Sequence, residues 1–276
     1  MCNRQRTKQR EYNVIIKLIK TTTMLALEWL SNARGVMERI EKTQAENIRK
    51  AAELMADSIE AGRWVHTFGC GHATIPVEEM YPRIGGFVGF HPMVELPLTF
   101  FTRITGEMGV HQFLFLERAE GYGIEIMKGY DFDARDTMWI FSHTGINNVN
   151  IDVALEAKKR GMKLVVCGSA AESEGKQTRH SCGKTIFELG DVVVDSCVPL
   201  TDASVPLKNH FDRIGPVSTM GFITLVWMTV TTVAEILADR GVHLYIHPSH
   251  NVPGDTTARQ RLDAALAEYK SRVKVL

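Results

Sequence analysis

The chain has 276 residues, 45% hydrophobic and 23% charged, and its 32 Lys and Arg balance 32 Asp and Glu. That length and balance suit one large globular domain and exclude a chain-wide basic field for nucleic acid, although a local loop can still hold an anion. The five cysteines are widely spaced, odd in number and form no Cys-x-x-Cys pair, which points to a reduced, cytoplasmic protein.

Residues 1–23 carry Arg4, Arg6, Lys8, Arg10, Lys17 and Lys20 against Glu11 and read as a basic, disordered extension, too charged for a signal peptide or membrane anchor. Residues 24–276 read as a single domain with leading helices. Between Met24 and Gly62, Ile40, Ala51, Leu54, Met55 and Ile59 form an apolar helical face, with Gly35 marking a break between two helices. Trp64 to Phe68 is a short apolar strand, and Gly69-Cys70-Gly71-His72-Ala73-Thr74 leads from it into a helix over 77–84. Gly69 and Gly71 let the backbone turn sharply and approach a ligand, but the third glycine of a dinucleotide fingerprint would fall at Thr74. Cys70 is either small filler or a thiol whose pKa is lowered by a helix N-terminus. Phe87 to Phe90 reads as the next strand. Pro92 and Pro97 place Glu95 in a loop or helix start, and 113–129 reads as one helix with Glu117, Glu120 and Glu125 on a solvated face.

Thr137 to Phe141 is again a buried strand, followed by Ser142-His143-Thr144-Gly145-Ile146-Asn147, a helix over 149–160, a stop at Gly161 and a strand over 163–167. The hydroxyls of Ser142 and Thr144 either hold an anion at the helix N-terminus, where unsatisfied N–H groups and the helix dipole favour one, or merely cap the helix. Two such strand–loop–helix units in one parallel sheet put both loops at the same carboxyl edge and predict a composite site. Residues 168–184 form a polar surface segment with one helical turn, and 192–195 the next strand. From Ile214 to Ala234 there is no charge; the stretch could span a bilayer by length, but Gly215-Pro216 and its many hydroxyls favour a helix buried in the core. Ser218 and Thr219 stand at its N-terminus as further anion-favouring donors. Residues 242–246 read as a short strand, and an amphipathic helix runs on to Val273. His243, His247 and His250 are separated by proline and glycine, and His180 and Cys182 lack a partner pair, so no metal and no cofactor is expected. The fold class is α/β: a doubly wound, five-stranded parallel sheet with strands near 64–68, 87–90, 137–141, 163–167 and 192–195 and additional N-terminal helices.

Phe68-Gly69-Cys70-Gly71-His72 and Phe141-Ser142-His143-Thr144-Gly145, with Arg179-His180-Ser181-Cys182-Gly183-Lys184 and Gly215-Pro216-Val217-Ser218-Thr219, resemble the sugar isomerase (SIS) domain family, in its stand-alone phosphosugar-binding form, from about Leu25 to Val273. The resemblance implies a flavodoxin-like sheet, a sugar-phosphate ligand and a homo-oligomer, dimer or tetramer, with neither nucleic acid nor membrane as partner. Its first loop usually reads Gly-x-Gly-x-Ser, and its second, Ser-x-Ser-Gly, grips the phosphate. Here Ala73 stands at the first serine and Thr144 at the last. Gly69, Gly71, His72, Thr74, Ser142, His143, Thr144, Gly145, Asn147, Ser218 and Thr219 are then the expected ligand-binding residues.

Aldose–ketose isomerisation needs a carboxylate or imidazole at a carbon next to a carbonyl and a donor for the carbonyl oxygen. Glu79, Glu95, Glu120, His72, His210 and His250 offer such groups. Glu79, just after the first loop, ranks first, Glu120 second, and His250 is the expected imidazole. The alternatives are a protein that binds or senses a phosphosugar without catalysis, and a sugar-phosphate lyase or etherase.

Overall fold

The computed structural model describes residues 24–80, 82–99 and 109–273; the basic stretch 1–23 lies outside them. Two leading helices, α1 (Met24–Thr43) and α2 (Ala45–Glu60), run into β1 (Val65–Gly69), α3 (Thr74–Met80) and β2 (Phe90–Met93). After α4 (Gly109–Leu116) and α5 (Tyr122–Lys128) come β3 (Thr137–Phe141), α6 (Asn148–Lys159) and β4 (Lys163–Gly168). The short helices α7 (Ala170–Ser173) and α8 (Ile186–Leu189) precede β5 (Val192–Asp195). A two-stranded antiparallel hairpin, β6 (Ala203–Pro206) and β7 (Arg213–Pro216), leads into the long α9 (Ser218–Asp239), and α10 (Ala258–Arg272) closes the described chain.

The five-stranded sheet has the order β2-β1-β3-β4-β5, and every pair is parallel. Alternate residues feed two cores, as a period of two demands. Val65, Trp139, Phe141, Val165 and Cys167 pack against α1, α2, α3 and α9 on one face. Phe68, Met138, Ile140, Leu164 and Val166 pack against α4, α5, α6 and α8 on the other. The sheet is therefore doubly wound. Because β2 turns one way from β1 and β3 the other, the topological switch lies between β1 and β3, where such sheets open a crevice at their carboxyl ends.

Several expected boundaries move. The second strand is Phe90–Met93 instead of 87–90, while Phe87 makes an isolated antiparallel bridge to Ile246, so 242–246 is no strand of its own. Pro92 sits within β2 because β2 is the sheet's edge, where a missing N–H leaves no ladder bond unmade. The helix expected over 113–129 is two. Gly121 takes φ 92°, and its N–H and that of Gly123 turn to the Asp152 carboxylate at 2.7 and 3.1 Å. The leading helices break at Gln44, not Gly35, and the Gln44 side chain accepts the N–H of Asp195 at 3.0 Å. Ile214 to Pro216, expected within the long apolar helix, belongs to β7. That helix, α9, is long and apolar enough to cross a membrane by length and composition, yet half of its most apolar window is buried within this fold.

Candidate functional site

A cleft of about 210 Å³ opens at the switch point and is lined by both predicted loops. The first supplies Cys70, His72 and Ala73, the second Ser142, His143, Thr144 and Asn147. Glu117, Asn150, Asp202, Ser218 and Phe222 complete the wall. Glycine is required where the first loop leaves β1: a Cβ on Gly69 would lie 2.2 Å from the Ala73 carbonyl oxygen. On the second loop Gly145 takes φ 70°, and a Cβ there would meet the Phe187 ring at 2.4 Å.

The two loops are tied by side chains. The Cys70 thiol donates to Asn150 Oδ1 at 3.6 Å, and Asn150 Nδ2 donates to Ser142 Oγ at 3.4 Å. Ser142 Oγ also accepts the Gly145 N–H at 3.2 Å, so with two N–H groups accepted its own proton remains to be given to a ligand. Neither hydroxyl caps α6. Its N-cap is Asn147, no side chain closes that cap, and the Thr144 hydroxyl has no partner among the described residues. Cys70 is filler: burial pushes its thiol well above the ordinary range, the reverse of an activated thiol.

Asn147 does something the sequence did not disclose. Its Nδ2 donates at 2.7 Å to Oε2 of Glu117, a carboxylate only 7% exposed. Burial pushes the Glu117 carboxyl up, while the nearby charges of Arg118 and Arg179 oppose the shift. Across the loop, both ring nitrogens of His143 are buried and without a hydrogen bond. Burial also lowers the pKa of this imidazole, against the pull of Asp202 and Glu172. The cleft thus holds a carboxyl group shifted toward neutrality and an imidazole held neutral.

Other expected residues stand elsewhere. Glu79 pairs with Arg83 and accepts the Trp227 indole N–H at 3.0 Å, which fastens α3 to α9 away from the cleft. Glu120 accepts the Ser181 N–H at 2.9 Å and the Ser181 hydroxyl, and lines a separate pocket with Asp152 and His180. His250 and His210 are exposed on loops, and Glu95, at the start of a short turn, is reached by the Tyr130 hydroxyl at 3.5 Å. None of these lines the cleft. Thr74 cannot replace the hydroxyl that Ala73 lacks, because its own donates to the Gly71 carbonyl at 2.7 Å. Ser218 lines the cleft but gives its hydroxyl to Asp202 at 2.7 Å, and Asp202 also accepts the N–H groups of Val217 and Ser218 at 2.8 and 2.7 Å. A resident carboxylate therefore already occupies the N-terminus of α9, and Thr219 stays out of the cleft. Among the described residues no cluster of three or more His, Cys, Asp or Glu could hold a metal.

Glu117, Asn150 and Asp202 escaped sequence reasoning. Glu117 directly follows the apolar run Phe113–Leu116, the one local sign that it would turn inward.

A profile for the SIS domain matches residues 28–169, which contain both loops. A UPF0309 protein of Thermoanaerobacter pseudethanolicus is 30% identical over 91% of this chain and 100% of its own length. Another, from a Geobacillus species, is 30% identical over 87% and 95%. Among solved structures, a phosphoheptose isomerase from Francisella tularensis superposes with a TM-score of 0.50 at 11% identity, over 76% of this chain and 96% of that one. The phosphoheptose isomerase of Neisseria gonorrhoeae gives 0.50 at 16% identity, over 74% and 94%. With the fold shared at that distance and the two glycine and hydroxyl loops meeting at one sheet edge, the chain belongs to the SIS domain family and, within it, to the UPF0309 proteins.

Proposed function

We propose that this protein binds a sugar phosphate in the cleft and isomerises it between aldose and ketose forms. The observation that carries the reading is the meeting, in one cleft, of a buried carboxyl with a raised pKa (Glu117) and an unpartnered neutral imidazole (His143). The phosphate end belongs at the second loop, where Ser142, Thr144 and the start of α6 offer donors. It does not belong at α9, whose N-terminal donors are held by Asp202. Asp202 and the asparagines instead suit the neutral hydroxyls of a sugar. Glu117 takes the proton from the carbon beside the carbonyl and returns it to the neighbouring carbon. His143 takes the hydroxyl proton and hands it to the former carbonyl oxygen, so the enediol forms and collapses with no net change in protons. No cofactor is needed for this chemistry. The reduced cytoplasm is the proposed setting, in keeping with the free thiols of Cys70, Cys167, Cys182 and Cys197.

Incubation with a panel of aldose and ketose phosphates in D₂O, followed by NMR, tests the reading. Deuterium should enter the carbon next to the carbonyl of at least one. Glu117→Gln should slow that exchange by about 10²- to 10⁴-fold while calorimetric affinity holds. Tight binding by the wild-type protein with no exchange of any ligand would reject catalysis in favour of a binding-only role.

A further inference from the structure

We infer that Glu172 is the positioning carboxylate of His143, orienting its ring for the transfer between substrate oxygens; the inference rests on the isomerase reading above. Glu172 lies on α7, in a segment that sequence alone marks as polar surface, yet it is only 9% exposed. Its backbone is pinned: the Glu172 N–H goes to Ser169 Oγ at 3.1 Å, and the Ser169 hydroxyl to the Val198 carbonyl at 2.7 Å. Its two oxygens are divided. Oε2 accepts the Lys176 ammonium at 2.6 Å, while Oε1 accepts the Thr201 N–H at 2.6 Å and stands 3.9 Å from His143 Nε2.

That geometry assigns the ring. Neither ring nitrogen has a hydrogen-bond partner among the described residues, and Glu172 Oε1 stands 3.9 Å from Nε2; a proton on Nε2, toward that carboxylate, leaves Nδ1 as the acceptor. When Nδ1 takes a hydroxyl proton, the imidazolium is stabilised by a carboxylate already in place. When the proton passes to the neighbouring oxygen, the ring is neutral again. The Thr201 contact reaches the same wall. Thr201 is held at φ 70°, a conformation that side chains other than glycine rarely adopt, and the next residue is Asp202 of the cleft. One carboxylate thus stands beside the base and holds the backbone that leads into Asp202.

The groups facing His143 are Asp202, Glu172 and Lys176. The two carboxylates favour its protonation, whereas Lys176 opposes it. NMR titration of the labelled histidine rings in the full chain, with His143→Gln identifying the signal, reads this coupling without any substrate. Glu172→Gln should move the His143 midpoint down, and Lys176→Met should move it up. Glu172→Gln should also slow deuterium exchange at least about tenfold with affinity for the sugar phosphate unchanged. A His143 midpoint that stays put in Glu172→Gln overturns the inference. Should that variant fail to fold, an unmoved midpoint in Lys176→Met overturns it equally. Shifted midpoints in the variants beside a wild-type protein that exchanges nothing sink the isomerase reading instead, so the two failures are distinct.

Discussion

Ser142 and Thr144 look alike in sequence and differ in place. Ser142 Oγ already accepts two N–H groups, from Gly145 and Asn150, so Ser142→Ala removes loop bonds as well as a ligand donor. Its expected effect is a lower Tm, from about 1–2 kcal/mol of lost stability, together with weaker phosphate binding. The Thr144 hydroxyl holds no partner among the described residues, and Thr144→Val should leave Tm alone. Losing one hydrogen bond to a charged group costs about 1.5–3 kcal/mol, so its affinity should fall by roughly ten- to a hundred-fold. Calorimetric titration of both variants with inorganic phosphate, beside their melting curves, checks the split; a lowered Tm with unchanged affinity in Thr144→Val would exclude the phosphate cradle. Much of this site was legible because small residues in a loop between an apolar strand and a helix have few other uses. Glu117 was not. Its burial follows from the bend after α4 and from Asn147 on another element, neither of which leaves a periodic trace in the chain.

At the level of elements, β1, β3 and β4 could be read from short apolar runs because both faces of a covered parallel sheet are buried, and β5 from its run of three valines. The second strand was expected at 87–90 and stands at Phe90–Met93, where the sheet's edge tolerates Pro92. The β6–β7 hairpin escaped, because Ile214 to Pro216 open the uncharged run that continues into α9 and β6 is only four residues long. The turn from β1 into α3 rests on contact distance. At Gly69 an added Cβ would press on the Ala73 carbonyl, which is backbone and cannot rotate away. Gly69→Ala should therefore destabilise the chain by about 1–3 kcal/mol, and by shifting His72 and Cys70 it should weaken ligand binding too. Urea unfolding measures the first effect and phosphate titration the second. Wild-type stability in that variant would show that the loop yields without strain.

For the whole molecule, association with further copies is the proposal that the apolar surface supports. Met24 and Leu27 of α1 are 61% and 45% exposed, and α9 keeps an uncharged, half-buried face as far as Ala234. Sedimentation at micromolar concentration should give a dimer or tetramer, and a monomer would remove the proposal. Stability against acid depends on the opposite edge of the sheet from the cleft. There the Nδ1 atoms of His66 and His91 share a hydrogen bond at 3.0 Å, His66 Nε2 stands 3.4 Å from Asp136, and Arg63 grips Asp136 with two bonds at 3.0 and 2.9 Å. Burial, with the charge of His66 adding to it, lowers His91 to about 4. Burial pushes Asp136 up, but the His66 ring, the Arg63 fork and the N–H groups of Trp64 and Asp133 outweigh it and hold the carboxyl at about 2. An unfolded histidine titrates near 6.5, so between there and about 4 the unfolded chain gains a proton that folded His91 refuses. Stability is therefore full above that window and falls as pH drops through it, by at most about 3 kcal/mol from this residue. His143, lowered by burial as well, adds a loss of the same sign. Asp136 contributes later, below the ordinary aspartate range, as its carboxylate is finally protonated. Urea unfolding at pH 7, 5.5 and 4.5 should show the decline, and His91→Phe should start less stable at pH 7 yet decline less steeply, because the titrating ring is gone while its bulk stays. Equal slopes for the two proteins would mean that His91 does not set the acid limit of this fold.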